Sequence, residues 1–264
     1  MRRGAFALID VLGFKGIWRR HPEDAVIRSL EALMATSQED ARLAMALGQI
    51  ADFVAPVFLS DTVAFGLTAR PLADVNATMK TSGEIVQFDE HTLDSWVVWH
   101  MGNFLAHLMR RALVAKVPMA FRGAIAFGRF GMTDRFIIGE AVDEAAPFHE
   151  AADAAIVGLT PSAEKFAQAE VPSPISKFFR YGIPKKQGHW NTWAVLPWGE
   201  PEDPKLDLID LYGRILATEE PSVQADVDRK RQNTLAFLRA ADEAAEAPMR
   251  ALREQLLELP EPRR

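Results

Sequence analysis

Phe6-Ala7-Leu8-Ile9-Asp10-Val11-Leu12-Gly13-Phe14 is an apolar run interrupted by a single acid. A continuous apolar run of this length reads as a buried strand, and Gly13 marks the turn that ends it. An ionised carboxylate at the end of such a strand is costly to bury without a cation or hydrogen-bond donors, so Asp10 requires a partner. A helix cap or a structural ion pair would supply one, and so would a bound metal.

On either side of this strand the chain alternates between the two hydrophobic periods. Pro22 to Gln49 is helical, with Val26, Leu30, Leu33 and Met34 at helix spacing. The β-type runs Phe53 to Leu59 and Thr62 to Leu67 form a hairpin joined at Ser60 and Asp61. Pro71 to Gly83, rich in small and polar residues, reads as a loop. Asp89 to Lys116 is a strong helix whose apolar face carries Leu93, Val97, His100, Met101, Phe104 and Leu108. Next come a strand from Met119 to Phe127, a turn from Gly128 to Thr133, a short strand from Phe136 to Ile138 and a helix from about Glu140 to Ala151. Ala154 to Leu159 is a further strand, and Thr160-Pro161 opens a helix expected to reach about Ala169. A second hairpin pairs Lys177 to Ile183 with Asn191 to Leu196, anchored by Trp190 and Trp193. From about Leu206 the chain is helical, with an interruption expected at Pro248 and a solvated charged face from Asp226 to Arg231.

The 264 residues suit one enlarged domain, or one domain with an appended segment. Hydrophobic residues make up 48% and charged residues 25%, an ordinary globular balance. Asp plus Glu (36) outnumber Lys plus Arg (30), so a nucleic-acid surface is not expected. There is no cysteine, which excludes disulfides, thiolate metal sites and a cysteine nucleophile. Arg2 and Arg3 precede an apolar stretch, but Asp10 breaks it and no small-residue cleavage site follows. The longest apolar run, Trp96 to Met109, contains His100, Asn103 and His107 and is too short to span a bilayer. A cytoplasmic protein with no membrane partner is the expectation.

Asp61, at the hairpin tip, reads as a turn residue when taken alone. Together with Asp10 it says more. Paired carboxylates at strand ends are what a two-metal phosphoryl-transfer site requires, because hard divalent cations take oxygen ligands and bridge substrate phosphates. His100 and His107 lie on one helix face but lack a third ligand, so packing explains them, as it does Trp96 and Trp99. No Walker loop, dinucleotide fingerprint or nucleophile elbow is present.

Four segments carry a family resemblance. Phe6 to Phe14 resembles the first strand of class III nucleotidyl cyclases, and Ser60-Asp61 resembles the hairpin that holds their second metal Asp. Arg122-Gly123-Ala124-Ile125-Ala126-Phe127-Gly128 is similar to the following core strand. Gly139-Glu140-Ala141-Val142-Asp143-Glu144-Ala145-Ala146 is similar to the helix beginning Gly, two residues, Val-Asn. The resemblance runs from about Ala5 to Trp198. It implies an α+β fold with a ferredoxin-like core, an antiparallel sheet with helices on one face; the C-terminal helices, after about Pro201, lie beyond the resemblance. Residues 1–200 would form the catalytic domain and 201–264 a helical extension that packs on it or extends the dimer. It further implies a homodimer with the active site between protomers, acting on a nucleoside triphosphate with two Mg²⁺ or Mn²⁺ ions. Asp10, Asp61 and the Val11 carbonyl would hold the ions, and the backbone of Leu12, Gly13 and Phe14, at the start of a helix, would meet the triphosphate. Lys185 or Lys186 matches the family's phosphate-binding lysine and also reads as a solvated turn lysine; Arg129 is a further source of positive charge.

This sequence departs from the family at four positions. Asp143 and Pro147 stand where the family keeps its transition-state Asn and Arg, so the usual clamp is absent or rebuilt. Val57 and Phe136 stand at the base-recognition positions, where adenylate cyclases carry Lys and Asp and guanylate cyclases Glu and Cys. With neither purine pattern present, the sequence looks most like the bacterial pyrimidine cyclases of Pycsar antiphage systems, which make cyclic UMP or cyclic CMP. Two other readings stay open: a cyclase-homology module without chemistry, and a different two-metal phosphotransfer enzyme on a similar core.

Overall fold

The computed structural model describes residues 1–14, 17–44, 50–81, 87–133, 135–167, 177–197, 208–216 and 223–257. The expected helix end at 45–49, the helix extension to 169, and the limits of the resemblance and of the domain division near 198–201 lie outside these residues. Strand β1 (Arg2–Val11) is followed by one helical turn, α1 (Ile17–Arg20), and by α2 (Glu23–Ala44). The hairpin β2 (Ala51–Leu59) and β3 (Thr62–Ala69) precedes α3 (Leu72–Thr81) and α4 (Glu90–Leu113). Then come β4 (Phe121–Met132), β5 (Ile137–Ile138), α5 (Glu140–His149), β6 (Val157–Leu159), α6 (Pro161–Glu164), β7 (Phe178–Pro184) and β8 (His189–Val195). Two helices close the chain, α7 (Leu208–Ile215) and α8 (Gln224–Leu257).

The sheet runs β2-β3-β1-β4-β6-β8-β7, with β5 paired to β4 off this path. The first four strands are mutually antiparallel and, with α2 and α4, form a βαββαβ unit in the order 2-3-1-4, which is the ferredoxin-like arrangement. The pairing of β4 with β6 is parallel. The fold is therefore α+β, a ferredoxin-like core plus C-terminal helices.

Alternation along β1 assigns the two faces of the sheet. Ala5, Ala7, Ile9 and Val11 enter a core completed by α4 and by Leu33 of α2. Phe6 and Leu8 point the other way, into a cluster with Ala126, Phe130 and Ala141 and Ala145 of α5. Leu12 continues that second face into a third cluster with Ala120, Ala124 and Ala152, Tyr212 of α7, and Phe237 and Leu238 of α8. Asp10 thus falls at the border between the apolar patch under α5 and the one under the C-terminal helices.

Several expectations change. The stretch taken as a loop from Pro71 contains α3; its few apolar positions give no readable period, and it is held instead by Asn76, whose side chain accepts from the Phe88 N–H at 2.8 Å and donates to the Phe88 carbonyl at 3.0 Å. Helix α6 ends at Glu164. Helix α8 continues through Pro248, where an interruption was expected. The charged stretch Asp226 to Arg231 is a docking surface, because Arg229 is bound to the buried Asp153. The turn expected from Gly128 to Thr133 changes as well: it is strand as far as Met132, where β4 pairs with β1 and then with β5. Asp89 caps α4 by accepting the Thr92 N–H at 2.7 Å, and Trp190 is buried against Phe148 with ring centroids 4.7 Å apart. No helix among the described residues is long and apolar enough to cross a membrane.

Candidate active site

Asp10 is 6% exposed and sits opposite Thr62 on β3 and Arg122 on β4. Arg122 donates from Nε to Asp10 Oδ2 at 3.0 Å, and its Nη2 lies 3.0 Å from the same oxygen. The ion-pair answer to a buried Asp10 is therefore realised. The guanidinium is itself fixed, since Nη1 donates to the carbonyls of Glu150 and Ala152, both at 3.0 Å. Close approach of the strands makes this geometry possible: a Cβ on Gly123 would lie 2.4 Å from the Leu8 carbonyl oxygen, so only glycine lets β4 run this near β1.

Burial pushes the Asp10 carboxyl above its ordinary value, and the Arg122 guanidinium opposes that rise. The charge of Asp61 raises it further, whereas His149, at the end of α5, lowers it. Asp61 stands at the hairpin tip beside Thr62, the residue that pairs with Asp10. Its position is set by the backbone: Ser60 takes φ +67° in the two-residue turn, a left-handed conformation costly for a residue with a side chain, and the Val11 N–H donates to the Asp61 carbonyl at 3.0 Å. Ladder pairing of Leu59 with Thr62 holds the turn closed.

The segment after β1 is partly committed. The Leu12 N–H donates to the Ala120 carbonyl at 2.8 Å and the Phe14 N–H to the Val11 carbonyl at 3.2 Å. Gly13 has φ +76°, and its carbonyl accepts from Arg20 at 2.8 Å. Of these three N–H groups, Gly13's has no acceptor among the described residues, and α1 is a single turn rather than a long helix aimed at a ligand.

Lys185 and Lys186 are exposed on the β7–β8 turn, where the Lys185 N–H donates to the Gly188 carbonyl at 3.0 Å. That turn is tied to the Arg122 region, because the Asp153 N–H donates to the Pro184 carbonyl at 2.8 Å. Val57 pairs with Ala64, which in turn pairs with Leu8, and it packs in the α5 cluster. Asp143 is exposed on α5, about 9 Å along the helix from His149. Arg129 and Phe136 lie elsewhere: Arg129 pairs with Arg3, roughly 23 Å along β4 from Arg122. Phe136 is 65% exposed beyond it. Asp10, Val11, Asp61 and the Leu12–Phe14 turn are brought together, with the lysines one layer away; Arg129 and Phe136 are not brought to Asp10 within this chain.

Arg122, His149 and the Glu150–Ala152 carbonyls were not singled out from the sequence. An arginine opening an otherwise apolar strand was the available signal for Arg122. The half-buried His100 lies with its ring against Trp96 and Trp99, and burial pushes its imidazole down to about 4. At the opposite end of β1, Arg3 is bound to the buried Asp94 beside a cleft of about 630 Å³ that also meets Arg2, Arg70, Asp52 and Glu90.

A divalent cation would meet a suitable donor set at Asp10. Two carboxylates repel one another there, and the Val11 carbonyl keeps a lone pair beyond the one used by Phe14. No group of three or more His, Asp or Glu side chains converges as a metal cage among the described residues, so substrate oxygens would have to complete the coordination.

No family model matches the chain, and no curated protein matches it. Among solved structures, it is similar to the catalytic core of a rhodopsin-guanylyl cyclase with converted specificity in complex with ATPαS, at 14% identity over 74% of this chain and 94% of that one, with a TM-score of 0.46. It is also similar to an adenylate cyclase from Trypanosoma brucei in its monomeric state (13%, 75% and 90%, TM-score 0.40). An adenylate/guanylate cyclase/hydrolase from Silicibacter pomeroyi gives 15%, 74% and 96%, with a TM-score of 0.39.

Proposed function

We propose that this protein is a class III-type nucleotidyl cyclase that converts a nucleoside triphosphate, UTP or CTP, to the 3′,5′-cyclic monophosphate and pyrophosphate. The observation that carries the reading is the meeting of Asp10, at the end of the central strand of a ferredoxin-like sheet, with Asp61 on the adjoining hairpin. The four segments that carry the resemblance lie on β1, the β2–β3 turn, β4 and α5, which supports the reading.

In this reading Asp10, Asp61 and the Val11 carbonyl would hold two Mg²⁺ or Mn²⁺ ions. When bound, such ions make the ribose hydroxyl more acidic and neutralise the phosphates. Arg122 keeps the Asp10 carboxylate aimed and Ser60 presents Asp61 from a fixed turn. The Gly13 N–H and Lys186, with Lys185 beside it, bind the β- and γ-phosphates. A bond forms between the 3′-oxygen and the α-phosphorus, the bond from that phosphorus to the β-phosphate oxygen breaks, pyrophosphate leaves and the hydroxyl proton passes to water. Positioning and charge stabilisation do most of the work. Asp143 occupies the clamp position without an amide donor, so charge stabilisation falls on the ions and lysines.

Val57 and Phe136 match neither purine pattern at the base positions, which, with the Pycsar resemblance, supports a pyrimidine. The exposed Phe58, Leu59, Phe136 and Ile138 support self-association. The catalytic unit is residues 1–200, with 201–264 as the extension; a cytoplasmic antiphage signalling role follows from the Pycsar resemblance.

Incubation with each of ATP, GTP, CTP and UTP plus Mn²⁺, with products weighed by mass spectrometry, tests this. Cyclic UMP or cyclic CMP is the expected product. A cyclic purine overturns the base assignment, linear or dinucleotide products point to a different two-metal transferase, and no product from any nucleotide favours a module without chemistry.

A further inference from the structure

We propose that Arg229, on the C-terminal helix, is a positioning residue for the Asp10 carboxylate, acting through Asp153 and Arg122, so that docking of α8 sets the cation affinity of the site. The inference rests on the reading of Asp10 as a cation ligand. It starts from a continuous series of short contacts. Asp10 is held by Arg122, and Arg122 is held by the carbonyls of Glu150 and Ala152, each at 3.0 Å. The next residue, Asp153, is 1% exposed, and a carboxylate at that depth needs a cation or hydrogen-bond donors. Arg229 supplies both, from Nε to Oδ2 and from Nη2 to Oδ1 at 3.3 Å.

Two further bonds bind the same short segment to α8. Asn233 donates to the Asp153 carbonyl at 3.0 Å, and the Ala155 N–H donates to Thr234 Oγ1 at 2.9 Å. The Thr234 hydroxyl gives its one proton to the Lys230 carbonyl at 2.8 Å, which leaves its oxygen oriented as an acceptor. Phe237 and Leu238 press α8 onto the same patch that contains Leu12 and Ala152, and Phe237 stacks on Phe179 with centroids 5.6 Å apart. The segment that presents the two carbonyls to Arg122 is therefore shaped by α8. Without Arg229, Asp153 has to move towards water, taking the Ala152 and Glu150 carbonyls with it. Arg122 then loses its fixed geometry. A residue that orients a metal ligand from outside the coordination sphere typically changes metal affinity by 10- to 100-fold, and Arg229, one layer further out, falls at the low end.

The test is Mn²⁺ binding to the full chain, measured by the loss of the free-ion electron paramagnetic resonance signal, alongside the Mn²⁺ dependence of turnover. Arg229→Met is expected to weaken Mn²⁺ binding roughly tenfold and to raise the Mn²⁺ concentration for half-maximal turnover by the same factor, with turnover at saturating Mn²⁺ within about twofold of the original. Arg229→Lys, which keeps the charge, should recover part of the affinity. Asn233→Leu, which removes one hydrogen bond and no charge, gives a smaller shift in the same direction and serves if Arg229→Met does not fold. Unchanged Mn²⁺ affinity in the folded variants, with only a lower melting temperature, overturns the inference and leaves the cyclase reading standing. If the original protein binds no Mn²⁺, the reading of Asp10 and Asp61 falls, and this inference with it.

Discussion

At each end of β1 a buried carboxylate is paired with an arginine, and the two pairs do different things. Asp94 meets Arg3 at one end and Asp10 meets Arg122 at the other; in both, burial is the largest influence and pushes the carboxyl up against the arginine's pull. A buried, perturbed acid is therefore not by itself a mark of chemistry. What separates the ends is their company. Asp94 lies within helix α4 next to Glu90, and Arg3 beside it is half-exposed. Asp10 ends a strand beside a tight hairpin that offers a second carboxylate and next to a backbone carbonyl, and its arginine is only partly exposed and is fixed by two further carbonyls. The first end balances charge beside an open cleft; the second presents hard oxygen donors at a strand terminus.

Substitution should separate them. Asp10→Asn is expected to lower turnover by roughly a thousandfold or more while the fold survives, and Asp94→Asn to leave turnover within about twofold, read as product formation at saturating Mn²⁺. Equal losses in both would dissolve the distinction. Arg122→Met leaves the buried Asp10 without its cation and two carbonyls without a donor, so urea unfolding should show a loss of about 3 kcal/mol. Arg3→Met should cost less, since its guanidinium is half in solvent.

The pH dependence of stability offers a finer test. Asp94 is raised from 3.8 to about 6, so between those values the folded protein holds a proton that the unfolded chain has released. The stability this contributes is present below about pH 4 and is lost as pH rises through about 6. Asp94→Asn should flatten that part of the curve in urea midpoints taken from pH 4 to 7. The smallest effect belongs to the hairpin: Ser60→Gly relieves the left-handed backbone and should add about 1 kcal/mol of stability, with Asp61 kept in place.

Much of this molecule could be read from local sequence. The apolar run of β1, the hairpin around Ser60 and Asp61 and the long face of α4 announce themselves because their periods are local. Helix α3 does not, because it is secured by Asn76 reaching Phe88 rather than by an apolar stripe. Asp10 and Asp61 were legible as acids out of place. Arg122 was not legible as their neighbour, because its pairing depends on the register of β1 against β4, 112 residues apart. Arg229 was hidden for the same reason: a charged helix face looks solvated until Asp153, 76 residues earlier, is folded beneath it.

The decisive measurement is the mass of the products formed from the four nucleoside triphosphates with Mn²⁺ by the original protein, by Asp10→Asn and by Asp94→Asn, side by side. A cyclic UMP or cyclic CMP product from the original and from Asp94→Asn, and none from Asp10→Asn, is the predicted result. Product from Asp10→Asn at the original rate would contradict the assignment of catalysis to the Asp10 end of β1.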